Sequence, residues 1–345
     1  MEYRFIKACR GEPVEATPIW IMRQAGRYMP DYRKIREKVS FLELCKTPEL
    51  AAEVTLQPID YLGVDAAILF SDILIPVEAM GLELDFTPAP VFANPVRTRG
   101  DIERLVIPDP GESVPFVMET VRILRRDLEG RVPLIGFSGS PFTLACYMIE
   151  GGGSKNFINL KMMMFQDPPL FDALMKKLVE VVSLYLLAQI EAGAQAVQIF
   201  DTWGGLLSPG DYARFDLPYT AGIISRLKEK DVPVIYYVGD GSSLLELSAG
   251  AGADVLGIDW RIDMGRVRER LGPEAALQGN LDPAALFSTE EDIRLRAQEI
   301  IDRAGTTGHI FNLGHGILPP TPPENARALV DFVHEYSAAK IEKEA

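Results

Sequence analysis

The chain has 345 residues, 47% of them hydrophobic, and carries 35 basic against 49 acidic side chains, a formal net charge of −14. This acidic balance argues against nucleic acid or an anionic membrane surface as a partner, and an anionic ligand would need a local cationic pocket. No apolar run of about 20 residues would span a membrane, no apolar signal core lies near the N-terminus, and three widely spaced cysteines predict reduced thiols in a cytoplasmic protein.

Eight short apolar segments recur along the chain, and each leads through a polar or Gly-rich end into a helical pattern. They span 18–22, 66–70, 133–137, 196–200, Val234–Val238, 255–259, 275–279 and 309–313. Nearly continuous apolar strands are typical of parallel sheets buried on both faces. The pattern therefore predicts an α/β fold of the (β/α)8 TIM barrel type. A doubly wound sheet is the alternative, but no GxGxxG follows the first strand.

The segment 82–96, LELDFTPAPVFANPV, accounts for part of the extra length of the chain. Its alternating pattern and its prolines predict a small β-hairpin insertion. No linker and no shift in composition marks a domain boundary, so we expect a single domain over residues 1–345.

The first strand runs directly into a cationic loop, RQAGRYMPDYR, which begins at Arg23. Arg23 and Arg27 are four positions apart and lie on one side in either a helix or a strand, and Gly26 between them permits close approach of a ligand. Two guanidinium groups on one side form a receptor for carboxylate or phosphate. The alternative is a surface loop with solvated arginines, but the direct exit from a buried strand favours a binding site.

Polar side chains also follow other strands, at the rim where a barrel carries its chemistry. Asp72 interrupts an apolar run and either serves function or caps a strand end. The simpler interpretation of Tyr147 is an aromatic side chain packed on a helix. The simpler interpretation of Thr202 is a hydroxyl that caps the next helix. His315 lies between two glycines after the last strand, an approachable position that favours function.

Metal and nucleotide motifs are missing from the sequence. No HxxxH, HxC or CxxC spacing occurs, which argues against zinc. Neither a P-loop nor a dinucleotide fingerprint occurs. We therefore expect no metal and no nucleotide cofactor.

Six segments resemble the uroporphyrinogen decarboxylase family in sequence and in order. They are RQAGRYMPDYR, ILFSDIL, GFSGSPFTLACYMIEGG, GIDWR, LQGNLDP and NLGHGI. The resemblance implies a (β/α)8 barrel that converts the four acetate side chains of uroporphyrinogen to methyls and releases carbon dioxide. It also implies no metal, no organic cofactor and a homodimer with facing clefts.

The resemblance assigns roles to individual positions. It implies that the loop residues Arg23, Gln24, Ala25, Gly26 and Arg27 contact the substrate. It further implies Asp72 as the central catalytic carboxylate, with Arg23 and Tyr147 as the other catalytic residues and Thr202 and His315 as substrate-binding residues. Many relatives have Ser where Thr202 stands, which keeps the hydroxyl, and nothing is assigned to the GDGSS segment after strand five.

Two other functions stay open at this point. A corrinoid-linked methyltransferase shares the fold, but it uses a zinc-bound thiol activator, and the missing HxC spacing argues against it. A non-catalytic tetrapyrrole-binding protein would need the arginines but would not need Asp72.

Overall fold

The computed structural model describes residues 3–86 and 89–344. Its strands are β1 (Ala67–Ile68), β2 (Leu84–Phe86), β3 (Pro90–Phe92), β4 (Leu134–Gly139), β5 (Ala196–Asp201), β6 (Val234–Val238), β7 (Val255–Gly257), β8 (Ala276–Gln278) and β9 (His309–Ile310). Seven of them form one parallel sheet in the order β1-β4-β5-β6-β7-β8-β9, so each strand pairs with the next one along the sheet. Strands β2 and β3 pair separately and antiparallel, with Leu84 opposite Phe92, inside the segment where the hairpin was predicted.

The helices cover most of the remaining chain. They are α1 (Arg4–Cys9), α2 (Pro30–Arg36), α3 (Phe41–Lys46), α4 (Pro48–Leu62), α5 (Ile75–Ala79), α6 (Arg99–Arg104), α7 (Pro110–Ser113), α8 (Pro115–Asp127), α9 (Pro141–Glu150), α10 (Ile158–Gln166), α11 (Pro168–Ala192), α12 (Pro209–Phe215), α13 (Leu217–Leu227), α14 (Leu245–Ala249), α15 (Met264–Leu271), α16 (Glu290–Ala304) and α17 (Pro323–Glu344), with 3₁₀ turns at Gly204–Leu206, Gly241–Leu244 and Pro283–Phe287.

Helix α9, which follows β4, shows why these segments become helical where they do. Pro141 occupies its first turn, where a missing N–H costs nothing. The Ser140 side chain accepts a hydrogen bond from the backbone N–H of Thr143 at 3.0 Å, which satisfies one of the free donors of the first turn. Strand β4 and helix α9 are therefore joined by the single residue Ser140, whose geometry this hydrogen bond fixes.

The sheet curls, and the burial of its central strands matches the predicted pattern. Every residue of β4, β5 and β6 is buried, as expected for parallel strands covered on both faces. Strand β6 has the limits that the sequence predicted. The predicted strands at 66–70, 255–259, 275–279 and 309–313 are shorter in the structure, but they occupy the expected places in the sheet.

The first predicted strand, 18–22, does not form a regular strand. Its link to β9 is a single parallel bridge between Ile19 and Phe311, and the backbone N–H of Phe311 donates to the carbonyl of Pro18 at 2.8 Å. On the other side, the N–H of Ile19 donates to a side-chain oxygen of Asp65 rather than to a neighbouring strand. The segment therefore lies between β9 and the entry to β1 without completing a ladder.

Two large apolar clusters hold these layers together. One contains Trp20, Phe137 and Phe311, and the other surrounds α9 and α11. The three cysteines, Cys9, Cys45 and Cys146, are free and buried within them.

Candidate active site

The loop after residue 22 is held in one shape by its own hydrogen bonds. The Gln24 amide accepts from the N–H of Ile21 at 3.1 Å and donates to the carbonyl of Ala66 at 3.0 Å. The Tyr28 hydroxyl donates to the Gln24 carbonyl at 2.8 Å. Arg23 adopts a left-handed backbone conformation, with φ of 64°, an uncommon state for a residue with a side chain. This combination fixes the direction in which the chain leaves the sheet.

Four arginines of this region divide into two structural and two unpaired side chains. Arg33 donates to the carbonyls of Arg27 and Tyr28 at 2.9 Å each, and Arg36 donates to the carbonyl of Val39. Arg23 and Arg27 are exposed, and within residues 3–86 and 89–344 neither guanidinium has a carboxylate partner. Guanidinium groups without protein partners on a fixed loop suit binding of carboxylates from a ligand.

Gln24 itself is not free to bind in this way. Its side chain is buried, and its amide oxygen, amide nitrogen, backbone N–H and carbonyl all have partners in Ile21, Ala66 or Tyr28. The substrate contact implied for Gln24 stays a prediction, and the observed contacts give it a role in shaping the loop. Ala25 and Gly26 are half-buried, and a Cβ at Gly26 would lie 2.8 Å from the carbonyl oxygen of Arg23.

Asp72 follows β1 and lies half-buried just before α5. One of its oxygens accepts the backbone N–H of Leu74 at 2.9 Å, which is the capping contact that the sequence left open. Burial raises the pKa of Asp72 to about 6, although the Leu74 N–H and the positive charge of Arg23 act in the opposite direction. Its carboxylate therefore keeps one oxygen outside the capping contact and a pKa close to neutral, as expected of a reacting group.

Tyr147 lies on α9, and its ring contacts the ring of Trp203 with the centroids 6.2 Å apart. Burial raises the pKa of its phenol, and the negative charge of Asp72 adds to this effect while Arg23 opposes it. The charges of Asp72 and Arg23 thus act on Tyr147, so the structure brings these three predicted residues into one neighbourhood.

Thr202 follows the end of β5 and is half-buried. The next helical turn, Gly204–Leu206, begins after Trp203 and has no side-chain cap, so the capping role considered for Thr202 is wrong. The end of β6 packs against this position, because a Cβ at Gly239 would lie 2.5 Å from the Thr202 carbonyl oxygen.

His315 is half-buried between the rings of Tyr237 and Trp260, at centroid distances of 6.2 and 6.3 Å. Its Nδ1 accepts the backbone N–H of Gly316 at 2.6 Å, which leaves Nε2 to carry the hydrogen. Burial lowers the pKa of His315 to about 4, and the positive charge of Arg23 contributes to the shift. At neutral pH this residue is an uncharged hydrogen-bond donor.

Two neighbours of His315 were not assigned from the sequence. The Tyr237 hydroxyl donates to the Gly314 carbonyl at 2.8 Å and so fixes the GHG segment. The Arg261 guanidinium stacks 3.8 Å from the Trp260 ring centre and donates to Asp259 at 2.6 Å. The GIDWR segment at a strand end was the available signal for Arg261, whereas Tyr237 lies inside an apolar strand that gives none.

Residues 3–86 and 89–344 lack two features, a cluster of metal ligands and a membrane-spanning helix. No group of three or more His, Cys, Asp or Glu side chains there could hold a metal ion. None of the helices is both long and apolar enough to cross a membrane.

The fold and this rim define an α/β enzyme with its polar residues gathered at the carboxyl ends of a curled parallel sheet. The uroporphyrinogen decarboxylase (URO-D) family model matches residues 2–336. The chain is 59% identical over 338 residues to the uroporphyrinogen decarboxylase of Geobacter metallireducens, covering 98% of this chain and 99% of the relative, and 59% identical over 337 residues to that of Syntrophotalea carbinolica, covering 97% and 98%. The chain belongs to the uroporphyrinogen decarboxylase family.

A solved structure shows the same fold at lower sequence identity. A methyltransferase from Methanosarcina mazei superposes with a TM-score of 0.82 over 96% of this chain and 98% of its own, at 24% identity. This likeness concerns the fold alone, while the relatives at 59% identity carry the decarboxylase name.

Proposed function

We propose that this protein converts uroporphyrinogen III to coproporphyrinogen III by decarboxylating its four acetate side chains, in porphyrin biosynthesis and without a cofactor. The observation that supports the proposal is that the half-buried carboxylate of Asp72 lies within the electrostatic influence of Arg23, on the same loop as Arg27. A substrate with many carboxylates and a ring that becomes cationic during reaction needs both kinds of charge in one site.

The reaction needs an electron sink, because loss of carbon dioxide leaves an electron pair on the side-chain carbon. A proton added to the pyrrole ring carbon makes the ring cationic, and the pair released from the C–C bond neutralises it. Protonation of the resulting methylene gives the methyl group, and the ring then loses the first proton. Each acetate that is decarboxylated thus consumes one proton and releases one carbon dioxide.

Asp72 suits the stabilisation of this cation. Its carboxylate is half-buried, and its charge acts more strongly there than it would in water. A cationic ring would in turn lower the pKa of Asp72 and keep it ionised. The Leu74 N–H fixes one oxygen, so the group needs little rearrangement during the reaction.

The other predicted residues suit recognition of the carboxylates and the ring. Arg23 and Arg27 would bind substrate carboxylates, and the neutral His315 would donate from Nε2. Tyr147 and Thr202 would add hydroxyl groups to the same rim. A guanidinium group does not give up a proton unaided, so Arg23 would act in catalysis through its charge.

Several features support the finer architecture that we propose. Residues 18–22 bridge β9 and approach β1, so we propose them as the segment that closes a (β/α)8 barrel. The paired β2 and β3 would be its small hairpin insertion within a single domain. The three unpaired, buried cysteines suit a reducing cytoplasm.

We also propose a homodimer in which two clefts face each other, because a wide rim over a large flat substrate is better shielded from water by a second copy. Light scattering of the purified protein at micromolar concentration tests this directly. A fully active monomer would contradict it.

The decisive experiment is anaerobic incubation with uroporphyrinogen III, followed by separation of products by carboxylate number. We expect coproporphyrinogen III with one carbon dioxide released per acetate, undiminished after exhaustive chelation. Absence of turnover, or activity that chelation abolishes and zinc restores, would favour a methyltransferase-like activity instead. Binding without turnover would indicate a tetrapyrrole carrier.

A further inference from the structure

Two buried carboxyl groups, those of Asp201 and Asp216, contact each other beneath the rim. Both side chains are fully buried, and neither has a cationic partner in the described part of the chain. Asp201 ends β5, and Asp216 lies between α12 and α13. Burial of two carboxyl groups side by side is costly unless hydrogen bonds compensate.

Asp201 has these hydrogen bonds. One oxygen accepts from the Ser140 hydroxyl at 2.7 Å and from the Thr143 hydroxyl at 2.9 Å, and the other accepts from the Tyr236 hydroxyl at 3.0 Å. The Tyr212 hydroxyl lies 2.7 Å from that of Tyr236 and extends the chain of donors. Three hydroxyl donors therefore converge on this one carboxyl group and compensate for its burial.

The surroundings of Asp216 favour the protonated form of its carboxyl group. Burial raises the pKa of Asp216 well above its usual range, and the charge of Asp201 adds to the effect. Its Oδ1 accepts from the Thr220 hydroxyl at 3.3 Å, while its Oδ2 has no other donor in the described residues. A proton on Asp216 that is hydrogen-bonded to Asp201 satisfies both groups.

This pair is joined to the candidate site through Thr143. The Thr143 hydroxyl donates to Asp201 and accepts the backbone N–H of Trp203 at 3.2 Å. Tyr147 lies one turn further along α9, with its ring against Trp203, and Thr202 lies between Asp201 and Trp203 in the chain. The hydrogen-bonded unit of Asp201 and Thr143 therefore fixes the position of the helix that carries Tyr147 and of the strand end that carries Thr202.

We propose that Asp201 is a positioning residue that keeps Tyr147 and Thr202 correctly placed relative to each other in the active site. This inference rests on the proposed function. A cluster that served stability alone would be replaceable by apolar residues of similar volume. The hydrogen bonds of Thr143 connect the cluster to two predicted site residues. Stability alone does not require this connection, so it indicates a role in placing those residues.

The first test removes the connection and leaves the volume. Thr143→Val is nearly isosteric, but it can neither donate to Asp201 nor accept from Trp203. We expect kcat on uroporphyrinogen to fall about tenfold, since small misplacements of catalytic groups carry penalties of this order or larger. The near-ultraviolet dichroism of Trp203, measured against the Trp203→Phe variant, should change as well. Thr143→Ser restores the hydroxyl and should recover both signals.

The second test compares the two acids. Asp216→Asn keeps a donor toward Asp201 and should retain most of the wild-type kcat. Asp201→Asn replaces an acceptor by a donor among three hydroxyls and should lower kcat with little change in KM. If Asp201→Asn does not fold, the Thr143→Val variant alone provides the test of the inference. A folded Thr143→Val enzyme with unchanged kcat and dichroism would overturn the inference, whereas a wild-type protein that does not turn over uroporphyrinogen would overturn the proposed function instead.

Discussion

Gly316 and the side chain of Arg23 occupy adjoining space so closely that a Cβ on residue 316 would lie 2.4 Å from Cδ of Arg23 and 2.9 Å from its Cγ. The last segment of the sheet and the first loop of the chain therefore meet at this contact. This contact explains why a glycine follows His315, because a larger residue at this position would displace the Arg23 side chain.

Gly316→Ala should therefore weaken catalysis without unfolding the protein. The backbone at Gly316 does not need a left-handed conformation, and the flexible Arg23 side chain can move aside. We expect kcat/KM to fall about 10- to 100-fold, because Arg23 is displaced from its position. Gly222→Ala, which meets nothing within 4 Å, is the matched control and should leave the kinetics unchanged. A folded Gly316→Ala enzyme with normal kcat/KM would place Arg23 outside the site.

Arg27→Lys tests the recognition of substrate carboxylates. Lysine keeps the charge but loses the two-pronged hydrogen-bonding edge of the guanidinium. We expect KM to rise about tenfold, equivalent to about 1.4 kcal/mol, and partly decarboxylated intermediates to accumulate. Arg122→Lys on α8, exposed and paired with Glu119, controls for the loss of a surface arginine. An unchanged distribution of intermediates would argue against a role for Arg27.

Asp72→Asn separates stabilisation of the cation from binding. Asparagine is nearly isosteric and can accept the Leu74 N–H, so the substrate can still be seated. We expect kcat and kcat/KM to fall together by about 10²–10³, with KM little changed. Steady-state kinetics measures this, with circular dichroism and melting curves as controls. A folded variant with near-normal kcat would remove Asp72 from the mechanism.

The same variant should be more stable than the wild type at alkaline pH. The pKa of Asp72 is raised from 3.8 to about 6 in the fold, so its ionisation opposes folding. The stability present below about pH 4 is lost as pH rises through 6, up to about 3 kcal/mol in all. Melting temperatures of Asp72→Asn and wild type should thus converge near pH 4 and separate above pH 6. Asp331→Asn on the exposed face of α17 should show no such pattern, and parallel curves for Asp72→Asn would refute the raised pKa.

His315→Gln distinguishes the two groups that could titrate in the pH profile. We expect kcat/KM of the wild type to fall below about pH 6, as Asp72 becomes protonated. His315, with a pKa lowered to about 4, stays neutral across that range. Glutamine retains an N–H donor, so the variant should be slower but keep the acid limb. If the limb disappears in His315→Gln, the titrating group is the histidine.

Most strands of the sheet could be predicted from continuous apolar segments of the sequence. The segment Val234–Val238 is apolar throughout, buried throughout and paired on both sides, so pattern and structure agree. Residues 18–22 have the same apolar character but form only one bridge. The reason is that Pro18 has no N–H to donate and the Asp65 side chain takes the N–H of Ile19, and neither effect is visible in an apolar pattern.

The site was less predictable, because its partners are distant in sequence. The motif placed Gln24 in the loop, yet only the fold reveals that its amide is hydrogen-bonded to Ala66. The shift in the pKa of Asp72 arises from burial by residues that follow no local spacing. Asp216 lies behind α12, fifteen positions after Asp201, and no sequence rule pairs two such acids.

The burial of the three cysteines has a practical consequence for measuring the motions of this protein. Burial raises the pKa of the thiols of Cys9, Cys45 and Cys146, so the reactive thiolate is scarce as well as inaccessible in the closed fold. Modification by a thiol reagent then reports transient opening of the chain rather than surface reactivity. Cys146 lies one position before Tyr147, so its labelling rate, followed by mass spectrometry, measures how often α9 opens. The labelling rates of Cys9 and Cys45 report opening elsewhere in the same molecule and serve as references.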